Sequence, residues 1–223
     1  MASPALLHGR RLIATIIGLA ALGVAILGVH YADESAPGRI DSAIDSRVRH
    51  RLRGHLRFLH HLVALGDPLS VVVGCAALAA LFFFAGRRRA ALLAILGPAA
   101  AAGVAEFVLK PLINRRINDA LSFPSGHTTG AVAVAAVIIV ALLGPSRPRW
   151  PAAARYALSA LALLGAAAIA TALVGSGYHY STDTLGGFCV AVGVVLAVAW
   201  LIDAVSVRSE HDTTRADRTR QLV

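Results

Sequence analysis

The sequence predicts an all-α integral membrane protein, a bundle of six transmembrane helices with an interfacial amphipathic helix in the first external loop. Three observations carry that prediction. Of the 223 residues, 57% are hydrophobic and 15% charged, and the mean hydropathy is +0.69, which is too apolar for a soluble domain. The apolar residues gather into six runs near the roughly 17–25 residues that cross a bilayer: 12–29, 69–85, 90–109, 129–143, 153–174 and 185–205. The basic residues fall between these runs, mostly in loops that share one side of the membrane.

The first run follows Arg10 and Arg11 as a signal peptide would, but it is long enough to span and lacks a small-residue cleavage site before Tyr31. It reads as a retained helix. In the segment 39–57, Arg47, Arg49, Arg51, Arg53 and Arg57 alternate with Val48, Leu52, Leu56 and Phe58, the pattern of a helix lying on the membrane. Asp33, Glu34, Asp41 and Asp45 offset part of its charge, and His50, His55, His60 and His61 lack a metal-binding spacing. Cys75 and Cys189 fall inside the second and sixth runs, act as small apolar residues and imply no disulfide framework. Gly97-Pro98 interrupts the third run and is expected to kink it. The fourth run is the shortest and has room to begin before Thr129.

Arg87-Arg88-Arg89, the Arg147/Arg149/Arg155 group, and Arg208, Arg215, Arg218 and Arg220 of the tail (206–223) all share one side if six spans alternate. That side is cytoplasmic by the positive-inside rule, and both termini lie on it. The loop after the fifth run contains no Lys or Arg, as an external loop should. The net charge of +9 therefore reflects topology, and no nucleic-acid partner is expected.

Lys110, Arg115 and Arg116 break this rule by clustering on the external side, which points to a function. Pro124-Ser125-Gly126-His127 follows, and it has the chemistry of a helix start. Ser125 is a good N-cap, Gly126 lets a ligand approach the backbone, and the free N–H groups of a helix N-terminus bind phosphate readily. His127 in the first turn is placed to protonate a leaving oxygen. His179 and Asp183 are four residues apart and share a face if helical. A carboxylate held against an imidazole fixes its tautomer and supports its cationic state, which suits a nucleophilic histidine. Together these residues make a phosphate-handling site on the external surface, suited to transfer through a covalent intermediate. Glu106, four residues before Lys110, is costly at membrane depth unless paired. It is expected to position Lys110 or an adjacent Arg without donating a proton.

These motifs resemble those of the type 2 phosphatidic acid phosphatase superfamily, which includes membrane lipid phosphatases, over residues 110–187. The family pattern joins a Lys followed by Arg-Pro, a Pro-Ser-Gly-His, and a Ser-Arg followed by His and then Asp. The resemblance implies that His179 takes the phosphoryl group, Asp183 orients it, and His127 is the general acid. Lys110, Arg115, Ser125 and the Gly126 N–H would hold the phosphate oxygens. It implies no metal and no cofactor, and a substrate drawn from the bilayer, either a lipid phosphate or a polyprenyl (di)phosphate. Two positions depart from the pattern. Ile117 stands at the usual place of the first-motif Arg, and Leu173 at that of the third-motif Arg. The doubled Arg115-Arg116 is the expected replacement. A lipid phosphotransferase of the same superfamily, a transporter and a non-catalytic scaffold are the rival readings.

Overall fold

The computed structural model describes residues 5–145 and 147–220, with side chains through Ser206. Its helices are α1 (Arg10–His30), α2 (Arg39–Leu52), α3 (Leu56–Leu65), α4 (Pro68–Phe84), α5 (Arg88–Gly103), α6 (Lys110–Ile113), α7 (Gly126–Leu143), α8 (Ala152–Gly175) and α9 (Ser181–Arg220). A 3-10 turn, Arg53–His55, joins α2 to α3, and a π-helical segment, Val104–Leu109, joins α5 to α6. Among the described residues, five helical rods are long and apolar enough to cross a membrane, with Arg88–Ile113 counted as one. A sixth candidate is the pair formed by Arg39–Leu65 and α4, which qualify together and bend by 51° at their junction. The chain is a multi-pass membrane protein.

At the centre stands α7, packed against α5, α8 and α9. Its buried residues include Gly130, Ala131, Ala133, Ala135 and Ala141, small residues that let helix backbones approach closely where lipid supplies no hydrophobic drive. The other organiser is α9, which packs against α1 and α5. Two glycines in its first turns allow a close approach between the two motifs. A Cβ on Gly187 would lie 2.7 Å from the Ser125 carbonyl oxygen, and one on Gly186 would overlap the Phe123 ring. The loop leading into α7 thus rests directly on the start of α9, and the two motifs meet.

Pro98 sits inside α5 without ending it, and the departure from α-helical geometry comes later, in the π segment. The fourth span begins at Gly126, where Ser125 caps it. A short hairpin, β1 (Arg116–Ile117) with β2 (Ala120–Leu121), interrupts the helices. Asn118 and Asp119 turn it with φ of 47° and 64°, the paired positive values that tight two-residue hairpin turns require. The basic tail read over 206–223 continues as helix to Arg220; its side chains beyond Ser206 and residues 221–223 lie outside the described residues.

The segment between α1 and α4 departs most from expectation. Where one amphipathic helix over 39–57 was expected to lie on the membrane, there are two, and both dock on the bundle. Arg47, Arg51, Arg53 and Arg57 are exposed, but Asp41 and Asp45, one turn apart on α2, are buried. Asp41 accepts the Thr182 N–H at 3.0 Å and Asp45 the Ser181 N–H at 3.2 Å. Two of the free donors at the start of α9 are thus satisfied by α2, while α3 packs against α8.

Candidate active site

The loop before α7 is held at both ends. Ser125 Oγ accepts the Thr128 N–H at 3.3 Å, and the Ser125 N–H donates to the Asp183 carbonyl oxygen at 3.0 Å. The first bond caps α7 and the second ties it to α9. His127, in the first turn of α7, and His179, just before α9, face each other with ring centroids 6.4 Å apart. Both line a cavity of about 470 Å³ that also meets His60, Asp67, Lys110 and Tyr178. Among the described residues, Lys110 is the only Lys or Arg on its wall. Lys110 Nζ donates to Glu106 Oε2 at 2.8 Å, an i,i+4 pair made where the π segment meets α6. A π turn widens the helix by one residue and is frequent at functional sites.

Asp183 is fully buried behind His179. Its Oδ2 lies 3.5 Å from His179 Nδ1 and accepts the Tyr180 N–H at 3.1 Å. The imidazole contact is longer than a hydrogen bond. The other carboxylate oxygen, Oδ1, receives Arg115 Nη1 at 2.6 Å.

That bond corrects the role expected of Arg115. Its guanidinium is wholly enclosed: Nη1 also donates to Thr182 Oγ1 at 2.7 Å, and Nη2 to Asp41 Oδ2 at 2.6 Å. The rings of Tyr31 and Tyr180 cover it at 4.0 and 4.6 Å. Arg115 therefore supports Asp183 instead of holding phosphate. Arg116 is exposed and bonded to Asn114 Oδ1 at 3.1 Å and the Asp119 carbonyl at 3.0 Å, away from the cavity. Neither guanidinium substitutes for the missing one. Ile117 lines the cavity, and Leu173 is buried in the apolar core. Ser125 Oγ is likewise buried and used as a cap, and Ser125 is not on the wall of the histidine cavity. Beside the N-terminus of α7, a Cβ on Gly126 would overlap Glu106 Oε1 and lie 3.7 Å from Lys110 Nζ.

Electrostatics around the network follow from its bonds. Burial pushes the Asp41 carboxyl up, but the bonds from Arg115 and Thr182 pull further the other way and leave it below its ordinary value. Burial pushes Asp45 above its ordinary value despite the bonds from Ser181. The motifs contain neither Asp41 nor Asp67, whose carboxylate meets His127 Nε2 at 3.0 Å. The partners of these two residues lie 74 and 60 positions away in the chain, beyond any local pattern. A trough of about 700 Å³ between α4 and α5 opens onto Lys110 and His127. A larger one, about 890 Å³ between α1 and α9, has a wall without charged side chains.

Residues 103–206 match the PAP2 superfamily, the stretch that carries Lys110, His127, His179 and Asp183. No curated protein matches the chain in sequence. Among solved structures, the fold matches a transmembrane PAP2 type phosphatidylglycerolphosphate phosphatase from Bacillus subtilis, with a TM-score of 0.65. The two are 19% identical, over 86% of this chain and 96% of that one.

Proposed function

We propose that this chain, whose residues 103–206 form a PAP2 superfamily segment within a transmembrane PAP2 fold, is a membrane phosphatase for a lipid phosphate or polyprenyl (di)phosphate. The observation that carries the reading is the pair of facing imidazoles, 6.4 Å apart, over a cavity that Lys110 also lines. His179 Nδ1 is turned to Asp183, which leaves Nε2 to attack phosphorus. The N–P bond forms as the P–O bond to the lipid breaks, and His127 gives its proton to the departing oxygen. Water then passes a proton to His127 and its oxygen to phosphorus, the N–P bond breaks, and phosphate leaves. Lys110 and the N–H groups at the start of α7 stabilise the charge on the phosphoryl oxygens, work that a metal ion does in other phosphatases.

The trough between α4 and α5 supports a lipid as substrate. Val71, Cys75, Ile95 and Ala102 line it, and it ends at Glu106, Lys110 and His127, so an apolar tail can stay in the bilayer while its headgroup reaches His179. The distribution of basic loops supports an orientation with this end of the bundle outside and both termini in the cytoplasm.

The test is phosphate release by purified protein in detergent from a panel of phosphatidate-like lipids, polyprenyl diphosphates and polyprenyl-linked sugar phosphates. His179→Ala should abolish it, and EDTA should leave it intact. No release from any lipid or generic phosphate, with the protein folded, would favour a scaffold. Transfer to a second lipid would make the chain a phosphotransferase.

A further inference from the structure

A second carboxylate–imidazole pair stands on the α4 side of the cavity, and none of the three motifs contains it. Asp67 Oδ1 lies 3.0 Å from His127 Nε2. Asp67 is the N-cap of α4, followed by Pro68. An Asp in that position ordinarily accepts a backbone N–H of its own first turn. Here it makes no such bond, and its carboxylate turns to the imidazole of another helix at the expense of its own.

The corner that delivers Asp67 is fixed against α7. A Cβ on Gly66 would lie 2.9 Å from Ile169 Cγ2 and 3.4 Å from His127 Cβ, so this turn touches the histidine with little space to spare. The 51° bend between Arg39–Leu65 and Pro68–Phe84 sets where the carboxylate arrives.

The surroundings of His127 make that carboxylate distinctive. Lys110 on α6, His179 before α9, His60 on α3 and the N–H groups of α7 all approach the same space. Glu106 faces the His127 side from the π segment but is occupied by Lys110. Among the described residues, Asp67 is the only carboxylate on the wall of the histidine cavity. It is half exposed, so it can release its partner without being left as a buried unpaired charge.

We propose that Asp67 is a positioning residue for the acid: it holds the His127 ring with a proton on Nε2 in the free enzyme and yields that N–H to the ester oxygen when substrate arrives. The proton moves from His127 Nε2 to the leaving oxygen, and Asp67 itself neither gains nor loses one. This rests on the reading of His127 as the general acid.

Full-length Asp67→Asn and Asp67→Ala proteins, assayed in detergent across a leaving-group series, test it. A positioned acid is worth about 10²–10⁴-fold, and losing its alignment should forfeit about tenfold or more of kcat for alkyl phosphates. Aryl phosphates, whose leaving oxygens need no proton, should keep their kcat, KM should change less than about twofold, and Asp67→Glu should recover part of the loss. Equal losses for alkyl and aryl esters, or no loss for either, overturn the proposal. A measurement independent of turnover stands beside this. In ¹⁵N-histidine spectra, assigned through His127→Ala, Asp67→Ala should shift the His127 ring nitrogens, and unchanged nitrogens overturn it. Wild-type protein that releases phosphate from nothing defeats the hydrolase reading, and the ring nitrogens then decide the pairing alone.

Discussion

Replacing Arg115 with Met should destabilise the end of the bundle that carries the histidine pair while leaving phosphate affinity almost untouched. The guanidinium is fully buried and bonds Asp183 and Asp41, both also fully buried, at 2.6 Å each. Methionine keeps the length and apolar stem of the side chain but leaves two enclosed carboxylates facing one another without a cation. Removing one partner of a buried ion pair costs about 3–5 kcal/mol. For a chain of this size, each kcal/mol moves Tm by about 2–4 °C, so a fall of roughly 6–20 °C is expected. Thermal unfolding in detergent, read with a thiol-reactive dye on the free thiols of Cys75 and Cys189, measures it. Turnover should also drop, because Asp183 loses the bond that holds Oδ1, whereas KM should change less than about threefold because the guanidinium does not line the cavity. Lys110→Ala should do the reverse, raising KM with a smaller effect on Tm. An Arg115→Met protein with wild-type Tm and a KM raised more than about tenfold would show that Arg115 binds phosphate after all.

Arg116→Ala is expected to leave kcat and KM within about twofold of wild type, since an exposed side chain bonded to its own hairpin contributes little; a tenfold rise in KM would return Arg116 to the site. Glu106→Gln should weaken phosphate binding modestly, through its Lys110 partner, without altering the leaving-group dependence of the rate, and an altered dependence would make Glu106 catalytic. Stability should fall with acid through Asp41. Its carboxyl lies lower in the folded state than in the unfolded chain, so its contribution is present above the unfolded value of about 3.9 and is lost as pH falls through the folded value. Asp41→Asn should lower Tm at neutral pH and flatten that acid limb; an acid limb as steep as that of wild type would remove Asp41 from the account.

What could be read from the sequence was what neighbours along the chain decide. Each span is announced by its own apolar run, the cap of α7 by Pro124-Ser125 ahead of small residues, and the His179–Asp183 pair by a four-residue spacing that needs only one helical turn. The hairpin at Asn118 and Asp119 was missed because strands of two residues leave no alternation to detect. Arg115 was misassigned for another reason. Adjacent to Arg116 and downstream of Lys110, it looked like part of one external cationic cluster, and only the fold reveals that Asp41, far upstream, reaches it first. A buried guanidinium and an exposed one have the same local sequence context; burial is decided by which distant element covers them.

The distant element that reaches Arg115 is α2, part of the segment first read as a helix lying on the membrane. The basic face of α2 and the turn after it does point outward, with Arg47, Arg51 and Arg53 exposed, but its acidic face satisfies the start of α9 and, through Arg115, holds Asp183 behind His179. At the far end of the same segment, the corner at Gly66 carries Asp67 to His127. One continuous stretch therefore sets both imidazoles, each through a carboxylate. The spacing between the rings depends on how α2 and α3 dock on α8 and α9 as much as on the transmembrane bundle. Charge reversals on the exposed Arg face and neutral substitutions on the Asp face consequently probe different properties of a single segment. The first alters its attraction to an anionic membrane surface, and the second alters the geometry of the histidine pair.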